Sequence, residues 1–191
     1  MENEKKKIVA EFALSNEENL RLTSQIVSSF DSILEKLIRN FLSKLSKSLK
    51  DELGDEWIII DELSENPLGT DTLYITKVKW KKLYSIGFAP ANQRGRNFYV
   101  GVFRTRGNIE EPIKSGIITT TLSEKYKKGR RDNWWDWWTY VDEAYRNFSN
   151  EDTLIRLYHQ TEIAEYFKSN LLKIKEIIEP IIDKEIKPYL K

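Results

Sequence analysis

Leu20, Ile26, Val27, Phe30, Ile33, Leu34, Leu37, Ile38, Phe41, Leu42, Leu45 and Leu49 recur at three- and four-residue steps. Only a helix aligns residues so spaced into one apolar stripe. Ser15-Asn16-Glu17-Glu18 in front of it reads as a capping box, and Gly54 as its stop. At 1.5 Å per residue the predicted helix is about 55–60 Å long, whereas a domain of this size is about 35–40 Å across. The helix must overhang its domain or bend. An overhanging apolar stripe predicts a partner helix, and hence a homodimer through the N-terminal helix. Residues 1–14 read as a flexible leader, 15–54 as the long amphipathic helix and 55–191 as an α+β domain.

Strand character comes next. Trp57-Ile58-Ile59-Ile60 is the first segment, and Asn66-Pro67-Leu68-Gly69 is a turn signal. Leu73 to Trp80 alternates, with Leu73, Ile75, Lys77 and Lys79 on one face and Tyr74, Thr76, Val78 and Trp80 on the other. Tyr84 to Phe88 and Phe98 to Phe103 are the next strands, joined through a basic tip at Gln93-Arg94-Gly95-Arg96. Links this short predict an antiparallel meander of four strands, five if a later segment joins it. Ile109 to Arg131 is less regular, a strand or a short helix ending in a basic loop. Ser149-Asn150-Glu151-Asp152 opens a capped helix, a break is expected near Gln160-Thr161, and Pro180 should kink the last helix. The predicted fold class is α+β: a long N-terminal helix, a central antiparallel sheet of four or five strands, and C-terminal helices packed on it.

Charge is segregated along the chain. Residues 77–131 hold 14 Lys/Arg against 3 Asp/Glu, although the whole chain carries a net charge of only +1. The segment runs into Asn133-Trp134-Trp135-Asp136-Trp137-Trp138, four of the six tryptophans in five positions. Cations beside ring faces suit a polyanion that carries bases or rings. The candidate polyanion-binding residues are Lys77, Lys79, Arg94, Arg96, Arg104, Arg106, Lys127, Lys128, Arg130 and Arg131. Half a dozen of them on phosphates would give a salt slope of about −5. The alternative is a solvated face neutralised by acids from the flanks, in pairs worth about 0–1 kcal/mol each. For the tryptophans the alternatives are core filling, which several must do as strand or helix, and a groove. Trp135, Trp137, Tyr145 and Arg146 are the candidate aromatic cleft, with Arg146 as an anchor for a carboxylate or phosphate.

The order of elements is a strand, a turn, Leu73 to Trp80, Tyr-Ser-Ile-Gly-Phe and Phe-Tyr-Val-Gly-Val. Asn133 to Trp138 then leads into Asp142-Glu143-Ala144-Tyr145-Arg146-Asn147-Phe148 and paired helices. This order resembles the C-terminal portion of a group of bacterial and phage proteins in the PD-(D/E)XK nuclease superfamily. The resemblance covers roughly residues 56–180 and is most specific at Asn133–Phe148. In that family the nuclease domain lies upstream of this region, where this chain has a leader and a helix. The family's chemistry needs an Asp and an acidic-x-Lys on a strand to gather Mg²⁺. Acidic-x-Lys occurs here at Glu4-Lys5-Lys6 and Glu185-Ile186-Lys187, neither in a strand pattern, and the matching register on Leu73–Trp80 holds Lys77-Val78-Lys79. What the resemblance implies is therefore an accessory domain, without the nuclease activity.

Other chemistry has thin support. With no cysteine, disulfides and thiolate chemistry are excluded. His159 is the sole histidine, and Asp132 and Asp136 read as a cap and a solvated turn more readily than as a catalytic pair. No cofactor, metal or catalytic residue is expected. Without a signal-like or membrane-spanning segment the expected location is cytoplasmic. The leading functional expectation is a non-catalytic module for nucleic acid or another polyanion. The alternative is a protein-interaction or inhibitor module, with bacterial defence or phage counter-defence as the setting the resemblance implies. A divergent nuclease comes third.

Overall fold

The computed structural model describes residues 2–104 and 116–186. Arg106 and the whole of the irregular stretch before Gly116 lie outside the described residues. Two helices open the chain: α1 (Glu2–Leu14) and α2 (Glu17–Glu52). The expected flexible leader is thus a helix instead. It packs back on the start of α2 through Ala13, and the Lys5 ammonium meets Glu151 at 3.0 Å. The cap of α2 also moves by one residue. Asn16 rather than Ser15 is the N-cap, its carboxamide oxygen accepting from the Asn19 N–H at 2.9 Å.

At 36 residues α2 is about 54 Å long. Its fully buried positions begin only at Leu34, so the first half overhangs the sheet as the length demanded. Five strands form one antiparallel meander in chain order. They are β1 (Trp57–Asp61), β2 (Leu73–Lys77), β3 (Tyr84–Asn92), β4 (Arg96–Arg104) and β5 (Trp135–Tyr140). Four further helices come after β4 or β5: α3 (Ile117–Lys125), α4 (Glu143–Arg146), α5 (Glu151–His159) and α6 (Thr161–Glu185). Gln160, at φ 63°, makes the expected break between α5 and α6. The α6 helix then runs through Pro180 to Glu185.

One face of the sheet is the core. Ile75, Ile86, Phe88, Phe98, Val100 and Val102 meet Leu34, Ile38, Phe41, Leu42 and Leu45 of α2 and Phe167, Leu171, Ile174 and Ile178 of α6. Phe41, Phe88, Phe98, Phe148 and Phe167 form its aromatic centre, with ring centroids 4.0–6.3 Å apart. Among the described residues no helix is long and apolar enough to cross a membrane.

Candidate nucleic-acid interface

The tryptophan cluster builds β5, and a bulge decides where each ring goes. Asp132 starts the strand by accepting the N–H groups of Trp134 and Trp135 at 2.8 and 2.9 Å. Trp135 pairs with Phe103 and Trp137 with Val102, so Asp136 is the extra residue. Strict alternation would put Trp135 and Trp137 on one face. The bulge separates them: Trp137 is fully buried beside Tyr126, under α3, while Trp135 lies on the opposite face against Tyr99 and Phe103. The expected pairing of Trp135 with Trp137 in one cleft is corrected accordingly.

The bulged Asp136 turns inward. Its carboxylate accepts from the Tyr84 hydroxyl at 3.1 Å and lies 3.0 Å from Arg104 Nε and 3.6 Å from Arg131 Nε. The Thr119 hydroxyl donates to its carbonyl. Arg104 and Arg131 are therefore tied to a buried carboxylate, and Asp136 is no solvated turn.

On the face opposite the core the rings run without a break. Tyr74 touches Phe103 (5.2 Å between centroids), Phe103 touches Trp135 (4.7 Å), Trp135 touches Tyr99 (4.9 Å), Tyr99 touches Trp138 (5.5 Å) and Trp138 touches Tyr140 (5.4 Å). Gly87 and Gly101 lie in register between Tyr74 and Trp138 and leave room for these rings to lie down. A Cβ on Gly101 would come within 2.7 Å of the Trp135 ring and 2.9 Å of Trp138 Cβ. Trp134, 43% exposed, borders two hollows on this side. One, of about 880 Å³, includes Glu62, Asp71, Tyr74 and Tyr99 in its lining. The other, of about 260 Å³, includes Asp132, Tyr99 and Trp138. Burial, with Asp132 adding to it, pushes the Tyr99 phenol up, so it stays a neutral ring.

Cations gather along the outer edge of β5. Arg130 and Trp138 exchange backbone hydrogen bonds of 2.8 and 2.9 Å, pinning the basic loop to the strand. The Arg130 guanidinium lies over the Trp138 ring at 5.5 Å, and that of Arg146 over Tyr140 at 5.1 Å. Arg146 is also held by donating to the Val141 carbonyl at 3.2 Å. With Lys128 the two arginines line a groove of about 390 Å³ whose other walls are Gly129, Trp138, Thr139 and Tyr140. Among the described residues no carboxylate lines it, although Asp142 lies close enough to Arg146 for their charges to interact.

The remaining expected cations lie elsewhere. Lys77 shares its face with Leu73 and Ile75, and that face is the core side. Its ammonium contacts Glu179, lies 3.2 Å from Glu56 and 3.3 Å from Asp183, and is almost wholly buried. Burial alone would lower its pKa, but the hydrogen bonds it donates to Glu179, Glu56 and Asp183 together raise it above the lysine range. The β2 strand ends at Lys77, and the 3₁₀ turn Val78–Trp80 carries Lys79 to the same Asp183 at 2.6 Å. Arg94 pairs with Asp31 on α2, and Arg96 donates to the Gln93 carbonyl at 3.2 Å, both at the β3–β4 tip. Lys127 holds Asp142 at 2.8 Å, and that hydrogen bond keeps the Asp142 carboxyl below the ordinary range. Tyr145 stacks on Tyr166 at 3.9 Å and donates to Glu162 at 2.6 Å, among the helices.

Of the expected cations, then, Lys128 and Arg130 converge, and Arg146 joins them. Sequence reasoning missed Tyr74, Tyr99, Phe103, Trp134, Trp138 and Tyr140. The alternation of Phe98-Tyr99-Val100-Gly101-Val102-Phe103 carried part of that signal. No family model matches this chain, and no curated protein or solved structure shows significant similarity to it.

Proposed function

We propose that this protein binds single-stranded nucleic acid across its aromatic sheet face, with the phosphates held along the edge of β5. The observation that carries this reading is the groove of Lys128, Arg130 and Arg146, lined by no carboxylate among the described residues, whose two guanidiniums already lie over Trp138 and Tyr140 at the margin of a continuous run of rings. Stacking on aromatic rings is tolerant of base identity and contributes about 1–3 kcal/mol per base. The ring face has acids on its far side, Glu62 and Asp71, and cations on its β5 side. A phosphate backbone is therefore favoured along β5 only, with bases turned inward over Trp138, Trp134 and Tyr99. Exocyclic base amines then approach carboxylates rather than phosphates. A paired duplex hides those faces and edges, so unpaired strands are the expected ligand.

Three converging cations imply a salt slope of about −2 on a single strand, shallower than a half-dozen phosphate contacts would give. Fluorescence anisotropy with labelled oligo(dT), oligo(U) and a duplex tests this. Arg130→Glu should weaken single-strand binding tenfold or more and leave the unfolding midpoint unchanged. Equal binding of strand and duplex, or indifference to Arg130→Glu, overturns the reading. A second reading, a protein-interaction or inhibitor module, is favoured by a different observation: the apolar side chains left exposed on α1 and the first half of α2.

A further inference from the structure

Nine of the fifteen exposed large apolar side chains among the described residues fall between Ile8 and Ile33. They belong to a two-helix arm, α1 folded back on the overhanging half of α2. Leu20, Val27, Leu34 and Phe41 succeed one another at seven-residue steps. The last two are fully buried in the core, whereas Leu20 is 50% and Val27 69% exposed although α1 packs alongside. The core stripe of α2 therefore continues past the sheet with its partner missing. Ile26 and Ile33 repeat at the same step beside it, 52% and 46% exposed. A seven-residue apolar repeat is the seam of helices packed side by side.

We infer that two copies of this chain pair through their arms, antiparallel, into a four-helix bundle. Helix spacing of 8–10 Å and rise of 1.5 Å per residue make the arm a ridged face about 25 Å by 20 Å, a footprint of about 500 Å² a side, so that pairing covers about 1,000 Å² in all, the threshold for a specific interface. Charge sets the direction. The turn end carries Glu11, Glu17 and Glu18 with Arg21, and the other, root end of α1 carries Lys6 and Lys7 with Glu4, Lys5 there being tied to Glu151 and the nearby Asp31 of α2 to Arg94. The ends have opposite net sign, so antiparallel copies place each turn against the other's root, and parallel copies set like ends together. Signs this mixed along the arm suit neither a strongly charged partner nor an anionic membrane, which needs a basic face. A two-fold axis across the arm makes one surface serve both copies.

The chain has no cysteine, so single-cysteine variants report geometry without interference. By light scattering the full-length protein at micromolar concentration should have twice its 22.6 kDa mass. Val27→Glu should return it to monomer with its circular dichroism and unfolding midpoint kept. Ile26→Cys, near the middle of the arm, should cross-link to its own copy on oxidation, while Leu14→Cys at the turn should not. A monomer at about 100 µM, a dimer that persists in Val27→Glu, or self-cross-linking at Leu14→Cys instead of Ile26→Cys overturns the inference. So does a vesicle or foreign protein that occupies the arm of a monomeric chain.

Discussion

Trp137 and Trp138 are neighbours in sequence and strangers in the fold. Trp137 is fully buried under α3, and Trp138 lies between the partly exposed rings of Tyr99 and Tyr140 with a guanidinium over its face. Lys77 and Arg130 differ in the same way. Both extend over a tryptophan, Trp57 and Trp138, but Lys77 is enclosed by Glu56, Glu179 and Asp183 while Arg130 lines a groove with no carboxylate among the described residues. Residue type does not decide between structure and binding in this sheet. The face of the sheet that a residue takes does, set at β5 by the bulge, together with the acids that lie on that face.

The contrast is broken most severely at the rings. Trp137→Ala should cost about 3–5 kcal/mol of unfolding free energy in a denaturant titration, the range for emptying a buried aromatic site. Trp138→Ala should leave most of that stability in place and weaken single-strand binding instead. If both variants lost stability equally, the two faces would be equivalent and the account would fail.

Next in size is the lysine. Lys77→Met keeps the apolar stem and removes the cation from two carboxylates that are only about one-fifth exposed. Removing one partner of a fully buried pair costs about 3–5 kcal/mol; residual solvent around Glu179 and Asp183 should reduce this to about 2. Lys128→Met should change stability by less than about 0.5 kcal/mol and lower affinity.

The same cluster predicts a pH dependence. Burial alone would raise the Glu179 and Asp183 carboxyls. Their hydrogen bonds, from Lys77 and Lys175 to Glu179 and from Lys79, Trp80 and Lys77 to Asp183, outweigh it and lower both. Carboxyls lowered on folding stabilise the protein fully above their unfolded values of about 4, and that stability is lost as pH falls through the folded values. Lys77, raised on folding, contributes fully below the ordinary lysine value and loses that contribution only as pH rises past it. The thermal midpoint should therefore fall with acid, and Lys77→Met should flatten the fall. An equally steep fall in that variant would remove the cluster from the explanation.

A smaller effect is expected from Gly101→Ala, whose new methyl meets the Trp137 carbonyl and the Trp135 ring. Overpacking of this kind costs about 1–3 kcal/mol, and near-ultraviolet circular dichroism should report displaced rings.

Much of the scaffold was legible in sequence, and the misses have physical causes. The stripe from Leu20 to Leu49 predicted α2 and its overhang, and short links with alternating residues predicted the meander. Helix α1 was missed because Ile8, Val9 and Phe12 stay half-exposed in the structure and make a weak periodic pattern. Trp135 and Trp137 were assigned to one face because alternation carries no sign of the bulge at Asp136, which depends on how Val102 and Phe103 pair across the sheet. Lys77 was correctly grouped with Leu73 and Ile75. That this face is the core was implicit in those two residues, and Glu179 and Asp183, four apart on α6, were the available hint of its partners. The convergence of Arg146 with Arg130 has no local signal, since α4 and the basic loop are brought together only by the fold, across Trp138 and Tyr140 and through Lys127 and Asp142.

Anisotropy of a labelled 12-nucleotide single strand, measured from 50 to 200 mM salt with the wild-type chain, Trp137→Phe and Trp138→Ala, tests the central claim most directly. The account predicts salt-dependent binding with a slope of about −2, kept in Trp137→Phe and lost in Trp138→Ala. Binding that survives Trp138→Ala, or no binding by the wild-type chain at 50 mM salt, would contradict it.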